Sequence, residues 1–378
     1  MKFCAVDLGA SSTRFTSNSG KVSVIPNNMV FLEKDAFVDI KPHEDTLVNS
    51  LEVVIEKDGD SEFYPVKVLI GAMAERYSSE NDRPSVMMNK HKQRINYVSG
   101  IVATAFTKIM DNVEEDIDLY VALPPIEVRH AKEIVSSNFL GKYKVTLPKY
   151  KGGTVLEFTI KSVNCHEESL MSLTSFFFNT NGTPNEKSKP YYVGNVLSLD
   201  IGASTTDLAI VKNARYNDKS GQTYKTGGNI ARDYLIDEIR MLEGYDLPIE
   251  DAERTMAEGR LQMGNTYKDV SDIVDRAKRK FAKSVVLHMQ GYFRQIDIPI
   301  QTIRAIIVSG GGSLSSQFIQ NGEVVETTKP MSYYITEYLQ EICSGVDVVP
   351  YGEDSRLANI KGLYIRASLD NAKKSKTA

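Results

Sequence analysis

The stretches DLGASSTR at residues 7–14 and DIGASTTD at residues 200–207 decide how this chain reads. Aligned on their aspartates they share five of eight residues, and they stand 193 positions apart, about half of the 378-residue chain. Each follows an apolar, β-compatible run, residues 3–6 in one case and 196–199 in the other, and each leads into a second short strand, 15–17 and 208–211. The glycine two residues after each aspartate permits the tight turn between them. Repeats of roughly 20–50 residues signal a solenoid, whereas one repeat at half length signals two related domains that open with the same β-hairpin.

Outward from the hairpins the pattern is α/β. Strands are expected at 52–56 and 66–71 around the Asp58-Gly59 turn and at 119–123 before Pro124-Pro125, with helices at 96–110, 127–136 and 168–178. The polar stretch NTNGTPNEKSKP at 179–190 reads as an exposed loop. After the second hairpin, helices are expected at 229–242 and 270–289, and the β-branched strand 303–308 runs straight into SGGGS at 309–313.

Composition sets the outer limits. With 42% hydrophobic and 25% charged residues the chain has the makeup of a soluble globular protein, and its length suits two domains. The 45 lysines and arginines are balanced by 49 acidic residues, a net charge of −4, so there is no chain-wide cationic surface and no direct grip on nucleic acid is expected. Cys4, Cys165 and Cys343 form no CxxC pair, which argues against a disulfide framework or a zinc cluster and for a reducing, cytoplasmic location. The N-terminus MKFCAVDLGA reaches Asp7 too soon for a signal peptide, and no apolar run is long enough to span a membrane.

A strand ending in Asp-x-Gly and followed by serines and threonines presents N–H and hydroxyl groups suited to phosphate oxygens. The aspartates would repel a polyphosphate unless a divalent cation, Mg²⁺ held through waters, lay between them. Either hairpin alone reads equally well as an ordinary turn; the matched pair carries the inference. Other phosphate motifs are missing: there is no G-x-x-x-x-G-K-[ST], and SGGGS lacks the G-x-G-x-x-G spacing of a dinucleotide fold. TGG at 226–228 precedes a helix whose first N–H groups face a ribose or phosphate, or else is a plain helix-entry turn.

Matched hairpins at half-chain spacing, with a third strand-to-glycine turn near residue 310, resemble the three-part nucleotide site of the actin, Hsp70 and sugar-kinase superfamily. DLGASSTR resembles its phosphate 1 motif, DIGASTTD its phosphate 2 motif and IIVSGGGS its adenosine motif. The resemblance implies a duplicated RNase H-like (actin) α/β fold of two lobes with a nucleotide cleft, binding ATP, or GTP as the alternative, with Mg²⁺. By it Asp7 and Asp200 flank the metal, and the phosphates are met by Gly9, Ser11, Ser12, Thr13, Gly202, Ser204, Thr205 and Thr206. Gly227, Gly228, Gly310, Gly311, Gly312 and Ser313 complete the nucleotide contacts. Arg14 stands where actin-like proteins usually carry a phosphate-binding lysine; the other reading is an exposed strand residue.

The segment EESLMSL at 167–173 resembles the actin hinge helix, whose leading glutamine orients the attacking water, and Glu168 is the aligned residue. The alternative is that Glu167 and Glu168 are first-turn acids at a helix N-terminus. DRAKRKF at 275–281 resembles an Hsp70 segment that contacts ribose and adenine, which nominates Asp275, Lys278 and Arg279; a solvated helix face is the competing reading. His166 and Cys165 read as packing or surface residues. ANIKGLYIRAS at 358–368 resembles the helix that returns the chain to the first lobe, so domain I is expected to comprise 1–166 with 360–378 and domain II 167–359.

Within the superfamily, a chaperone needs a substrate domain after this unit, and a sugar kinase needs a further acid that the sequence does not single out. A scaffold of the MreB or FtsA kind needs a membrane anchor, for which the tail NAKKSKTA has no apolar face. The stretch KHKQRINYVSGIVATAF at 90–106 is similar to plasmid-partition actins of the ParM/StbA family, as is a glutamate at the water-orienting position. That resemblance implies an ATPase that polymerises with itself into dynamic filaments on binding ATP. Hydrolysis then destabilises the filaments, and plasmid DNA is segregated through a small DNA-bound adaptor of the ParR type. A sugar-kinase-type phosphotransferase and an MreB/FtsA-like scaffold are the alternatives.

Overall fold

The computed structural model describes residues 2–9, 12–33, 50–59, 61–71, 74, 90–112, 116–213, 215–217, 219–314, 318–320, 323–325 and 328–377. Ser11 of the first hairpin lies outside them. The chain divides into two compact units, Met1–Thr183 with Asn359–Ala378, and Pro184–Ala358.

The strands of the first unit are β1 (Lys2–Leu8), β2 (Ser12–Thr16), β3 (Val22–Pro26), β4 (Met29–Leu32), β5 (Ser50–Lys57), β6 (Val66–Gly71), β7 (Ile117–Leu123), β8 (Gly141–Leu147) and β9 (Thr154–Glu167). They form one sheet in the order β3-β2-β1-β7-β9-β8-β5-β6-β4. β1 and β7 are buried along almost their whole length, which is why residues 3–6 and 119–123 within them read as continuous apolar runs. Helices α1 (Arg94–Asp111), α2 (Pro125–Phe139) and α3 (Glu168–Phe177) belong to the same unit. Its core includes Tyr97, Phe106, Phe139 and Tyr143, with the Phe63 and Tyr97 rings stacked at 4.4 Å.

In the second unit the strands are β10 (Asn195–Ile201), β11 (Thr206–Lys212), β12 (Arg215–Tyr216), β13 (Gln222–Tyr224), β14 (Arg260–Met263), β15 (Thr266–Asp269), β16 (Ile303–Ser309), β17 (Phe318–Gln320), β18 (Glu323–Val325) and β19 (Asp347–Pro350). Its main sheet runs β12-β11-β10-β16-β19, with β13 also paired to β11. Helices α4 (Gly228–Glu243), α5 (Ile249–Glu258), α6 (Ser271–Ile296) and α7 (Met331–Ile342) belong to it. α6 extends seven residues past the expected end at 289 because Phe281, Val285, Met289 and Tyr292 continue one buried stripe. The loop expected at 179–190 contains a short 3₁₀ turn, Glu186–Tyr191, started by the Asn185 side chain accepting from the Lys187 N–H at 3.1 Å.

The sequence repeat has a structural counterpart. β1 pairs antiparallel with β2 and parallel with β7, which pairs parallel with β9; β10, β11, β16 and β19 repeat those relations. In register, Asp7 lies opposite Arg14 and Ala122, and Asp200 lies opposite Asp207 and Ser309. The two aspartates therefore occupy equivalent positions, with a cation beside one and a second acid beside the other.

The last helix, α8 (Ala358–Thr377), lies almost wholly in the first unit, fastened there by the Lys374 Nζ to Asp118 Oδ2 ion pair at 2.8 Å. α3, which the sequence reading places in domain II, also falls in this unit, since it continues directly from β9 without a loop. Among the described residues no helix is long and apolar enough to cross a membrane.

His166, near the end of β9, stacks on Tyr120 with centroids 6.0 Å apart and rings within 4° of parallel. Its Nε2 is buried without a hydrogen-bond partner, and burial pushes its pKa down from 6.5 to about 4. The fold keeps this ring neutral while the unfolded chain protonates it. Its stability contribution is therefore complete above pH 6.5 and is lost as pH falls from there toward 4. At pH 5 the loss should be about 1–2 kcal/mol. Urea unfolding at pH 7 and pH 5 checks this: His166→Phe should lose correspondingly less stability between the two than the parent.

Candidate functional site

In the first unit Asp7 is buried at the end of β1, and Arg14 Nη1 reaches its Oδ2 at 3.3 Å. Arg14 is thus a half-buried partner of the carboxylate and not an exposed strand residue. The turn depends on Gly9, since a Cβ there would lie 2.6 Å from the Ser12 carbonyl oxygen and 3.0 Å from Arg14 Nη1. Asn27, which sequence reasoning missed, ties the hairpin together: its Nδ2 donates to the Gly9 carbonyl and its Oδ1 accepts from Thr13 Oγ1 at 3.0 Å. The Thr13 hydroxyl, nominated for phosphate, is fully buried and turned to that asparagine.

Glu168 opens α3 with its carboxylate buried and in contact with Lys90 Nζ at 2.5 Å. It is more than a helix-start acid, because it forms an ion pair in which both side chains are nine-tenths buried. Lys90 comes from a short 3₁₀ turn, Lys90–Lys92, whose Lys90 and His91 N–H groups donate to the two oxygens of Glu127 at 2.8 and 3.0 Å. Burial acts to lower the Lys90 pKa, but the carboxylates of Glu168 and then Asp7 outweigh it, so the ammonium stands above its ordinary value. In the sequence residue 90 only begins the stretch at 90–106 and Glu127 only begins the helix expected at 127–136; no local motif links either to Glu168.

The second unit brings three glycine turns into one cluster. Asp200 is buried at the end of β10 and accepts from Ser309 Oγ at 3.3 Å. Gly310 has φ of +90°, and a Cβ on it would lie 2.4 Å from Asp200 Oδ1 and 2.3 Å from the Ile201 carbonyl oxygen. A Cβ on Gly312 would lie 2.6 Å from the Gly202 carbonyl oxygen, and one on Gly227 would lie 2.4 Å from that of Ala203. Backbone packs on backbone here, so only glycine fits. The Gly228 and Asn229 N–H groups donate to the Gly202 and Ala203 carbonyls at 2.9 and 2.8 Å. The start of α4 thus fastens the hairpin, and these two donors are spent.

Asp207, opposite Asp200, is buried and accepts from Thr205 Oγ1 at 3.0 Å and Thr223 Oγ1 at 2.6 Å. Thr206 Oγ1 donates to the Thr226 carbonyl. Ser204 differs from its neighbours: its Oγ is buried and has no hydrogen-bond partner. Ser313 Oγ donates to the Gly310 carbonyl at 2.7 Å and lies 3.1 Å from Ser355 Oγ, while the place of a Cβ on Gly311 is 3.4 Å from Arg356 Cγ. Ser309 was legible as the residue before the glycine run; Ser355 and Arg356 come from a 3₁₀ turn, Glu353–Leu357, that carries no motif.

The third nominated group lies between α6 and α7. Asp275 accepts from the Tyr334 hydroxyl at 2.6 Å and from Arg279 Nε at 2.8 Å, and Arg279 Nη1 also donates to Glu337 at 2.9 Å. Burial pushes Asp275 up, but those two donors outweigh it and hold its carboxyl below the usual range. Lys278 is fully buried, its Nζ donating to Thr328 Oγ1 at 2.8 Å and the Lys329 carbonyl at 2.7 Å. Lys278 is therefore a buried packing residue, whereas Asp275 and Arg279, with side chains 39% and 40% exposed, form a paired but solvated surface of α6.

A family model described as the C-terminal part of archaeal MreB-like actin homologues matches residues 198–319, which include the second hairpin and the glycine turn at 310. No curated protein sequence matches the chain. Among solved structures, the actin-like protein Alp7A is similar with a TM-score of 0.75 and 18% identity, over 99% of this chain and 97% of that one. Ta0583, an archaeal actin homologue solved in complex with ADP, gives 0.65 and 16% over 98% and 100%. ParM of Bacillus thuringiensis in apo form gives 0.60 and 17% over 99% and 98%. The chain has the actin-like α/β fold, as the hairpins led one to expect.

Proposed function

We propose that this protein is an actin-like ATPase that assembles with itself into filaments on binding ATP and Mg²⁺, and that hydrolysis destabilises those filaments. We further propose that it segregates plasmid DNA in the cytoplasm through a small DNA-bound adaptor of the ParR type. The observation that carries the reading is the second half-site: a buried Asp200, three glycine turns packed backbone to backbone, and a buried Ser204 hydroxyl with no partner in the protein. A buried, unsatisfied hydroxyl costs free energy unless a ligand completes it, and a phosphate oxygen fits.

In this reading Asp7 and Asp200 hold the hydration shell of one Mg²⁺, which when bound neutralises phosphate charge. Mg²⁺ bound there would take water and phosphate oxygens as its other ligands, as this hard cation commonly does in nucleotide sites. Ser11, Ser12 and Ser204 meet the phosphates, joined by the backbone N–H groups of Thr13, Thr205 and Thr206, whose side-chain hydroxyls, where described, are engaged within the protein. Gly310 to Ser313 admit the adenosine. Asp275, Lys278 and Arg279 support that side of the pocket through the packing of α6. Glu168 orients the attacking water and receives its proton.

Filament growth needs a head-to-tail, non-closing contact between identical subunits. The near-balanced charge supports an adaptor in place of direct contact with DNA. The ADP complex of the archaeal homologue and the fold shared with ParM support nucleotide use. Sedimentation and light scattering with ATP and Mg²⁺, with phosphate release followed in parallel, test the proposal. Polymer is expected with ATP, and it should disassemble as phosphate appears. A protein that stays monomeric at every concentration and phosphorylates a small acceptor would be a phosphotransferase instead.

A further inference from the structure

The proposed reaction leaves one buried cation without a task. Lys90 Nζ meets Glu168 Oε1 at 2.5 Å, and the backbone of this lysine is pinned on several sides. Glu127 accepts the Lys90 and His91 N–H groups at 2.8 and 3.0 Å, Asn96 Nδ2 donates to the Lys90 carbonyl at 3.0 Å, and the Tyr97 hydroxyl donates to the His91 carbonyl at 2.7 Å. An ion pair withdrawn from water is a poor stabilising device, since desolvation offsets its attraction. Pinning the backbone so thoroughly leaves the flexible four-carbon stem as the moving part.

We infer that Lys90 is a phosphate-responsive cation of the first half-site, that the terminal phosphate of a nucleoside triphosphate draws it from Glu168, and that Glu127 is the positioning residue that sets it there. The inference rests on the nucleotide reading above. Arg14 pairs with Asp7, the carboxylate assigned to the metal, whereas Lys90 pairs with Glu168, the one assigned to the water. Asp7 adds to Glu168 in raising the Lys90 pKa, so the carboxylate assigned to the metal acts on the ammonium together with the one assigned to water. A terminal phosphate carries more charge than a single carboxylate and competes for the ammonium; a diphosphate lacks the third phosphate, and its own terminal group ends one phosphate short of that place. Release of Lys90 removes the ion pair from Glu168 Oε1, the oxygen that then meets the water. The water oxygen then bonds to the terminal phosphorus, the bond from that phosphorus to the bridging oxygen breaks, and the water proton passes to Glu168.

Calorimetric titration with Mg²⁺ and either ADP or a non-hydrolysable ATP analogue tests this in the parent, Lys90→Met, Lys90→Arg and Glu127→Gln. The parent should prefer the triphosphate. Lys90→Met should lose roughly ten- to hundredfold in affinity for the analogue, with ADP binding nearly unchanged. Lys90→Arg should recover part of the preference, and Glu127→Gln should erode it less than Lys90→Met does. If Lys90→Met fails to fold, the two conservative variants make the same comparison. A parent that binds nucleotide and a Lys90→Met that keeps the full preference overturn the inference alone. A parent that binds neither nucleotide overturns the functional reading and this inference with it.

Discussion

Glu168→Gln is expected to slow phosphate release by roughly 10²- to 10⁴-fold while nucleotide binding and assembly persist, giving long-lived filaments. Glutamine preserves the shape of the side chain and keeps one oxygen that can accept from Lys90, so the local structure should survive. It has no basic oxygen to take the water proton. Glu168→Ala is a poorer probe, because it strands the Lys90 ammonium in a buried place, which commonly costs about 3–5 kcal/mol. Single-turnover hydrolysis followed with light scattering separates chemistry from assembly. Unchanged hydrolysis in the glutamine variant would reduce Glu168 to a structural partner of Lys90.

Gly362→Ala should cost about 3 kcal/mol or more of stability, a large part of the roughly 5–15 kcal/mol that holds a domain folded. A Cβ at Gly362 would lie 1.8 Å from the Met171 carbonyl oxygen and 2.6 Å from its carbon, both backbone atoms of α3. Neither helix can yield by turning a side chain, so α8 and α3 would have to move apart within the first unit. The sign makes the test sharp. Helix propensity alone says that alanine in place of an interior glycine stabilises by about 1 kcal/mol. Guanidinium unfolding of the variant should show a loss where propensity predicts a gain, and a gain would mean the close approach is wrong.

Much of the fold was legible because its signals are local. The strands of both hairpins are short apolar runs, their turns need glycine within two residues of the aspartate, and both aspartates lie at equivalent strand ends. The helix at 358–368 was readable as a unit, but the need for glycine at 362 was not, since it arises from another helix crossing at that point. The nominated hydroxyls show the same limit. Thr13, Thr205 and Thr206 share a motif, yet Asn27, Asp207 and the Thr226 carbonyl determine where each proton points.

By itself, then, the sequence determined the duplicated α/β plan, the positions of Asp7, Asp200 and the glycine turns, and the start of α3 at Glu168. Each of these depends on residues a few positions apart, and the duplication on the recurrence of one such local motif 193 positions on. Tertiary structure alone decided that Lys90 meets Glu168 across 78 positions, that Glu127 holds Lys90 across 37, and that Ser204 is left with a buried, unanswered hydroxyl. No periodicity links such partners along the chain; they meet because parallel strands and packed helices bring distant segments together, and burial then fixes which charges face one another.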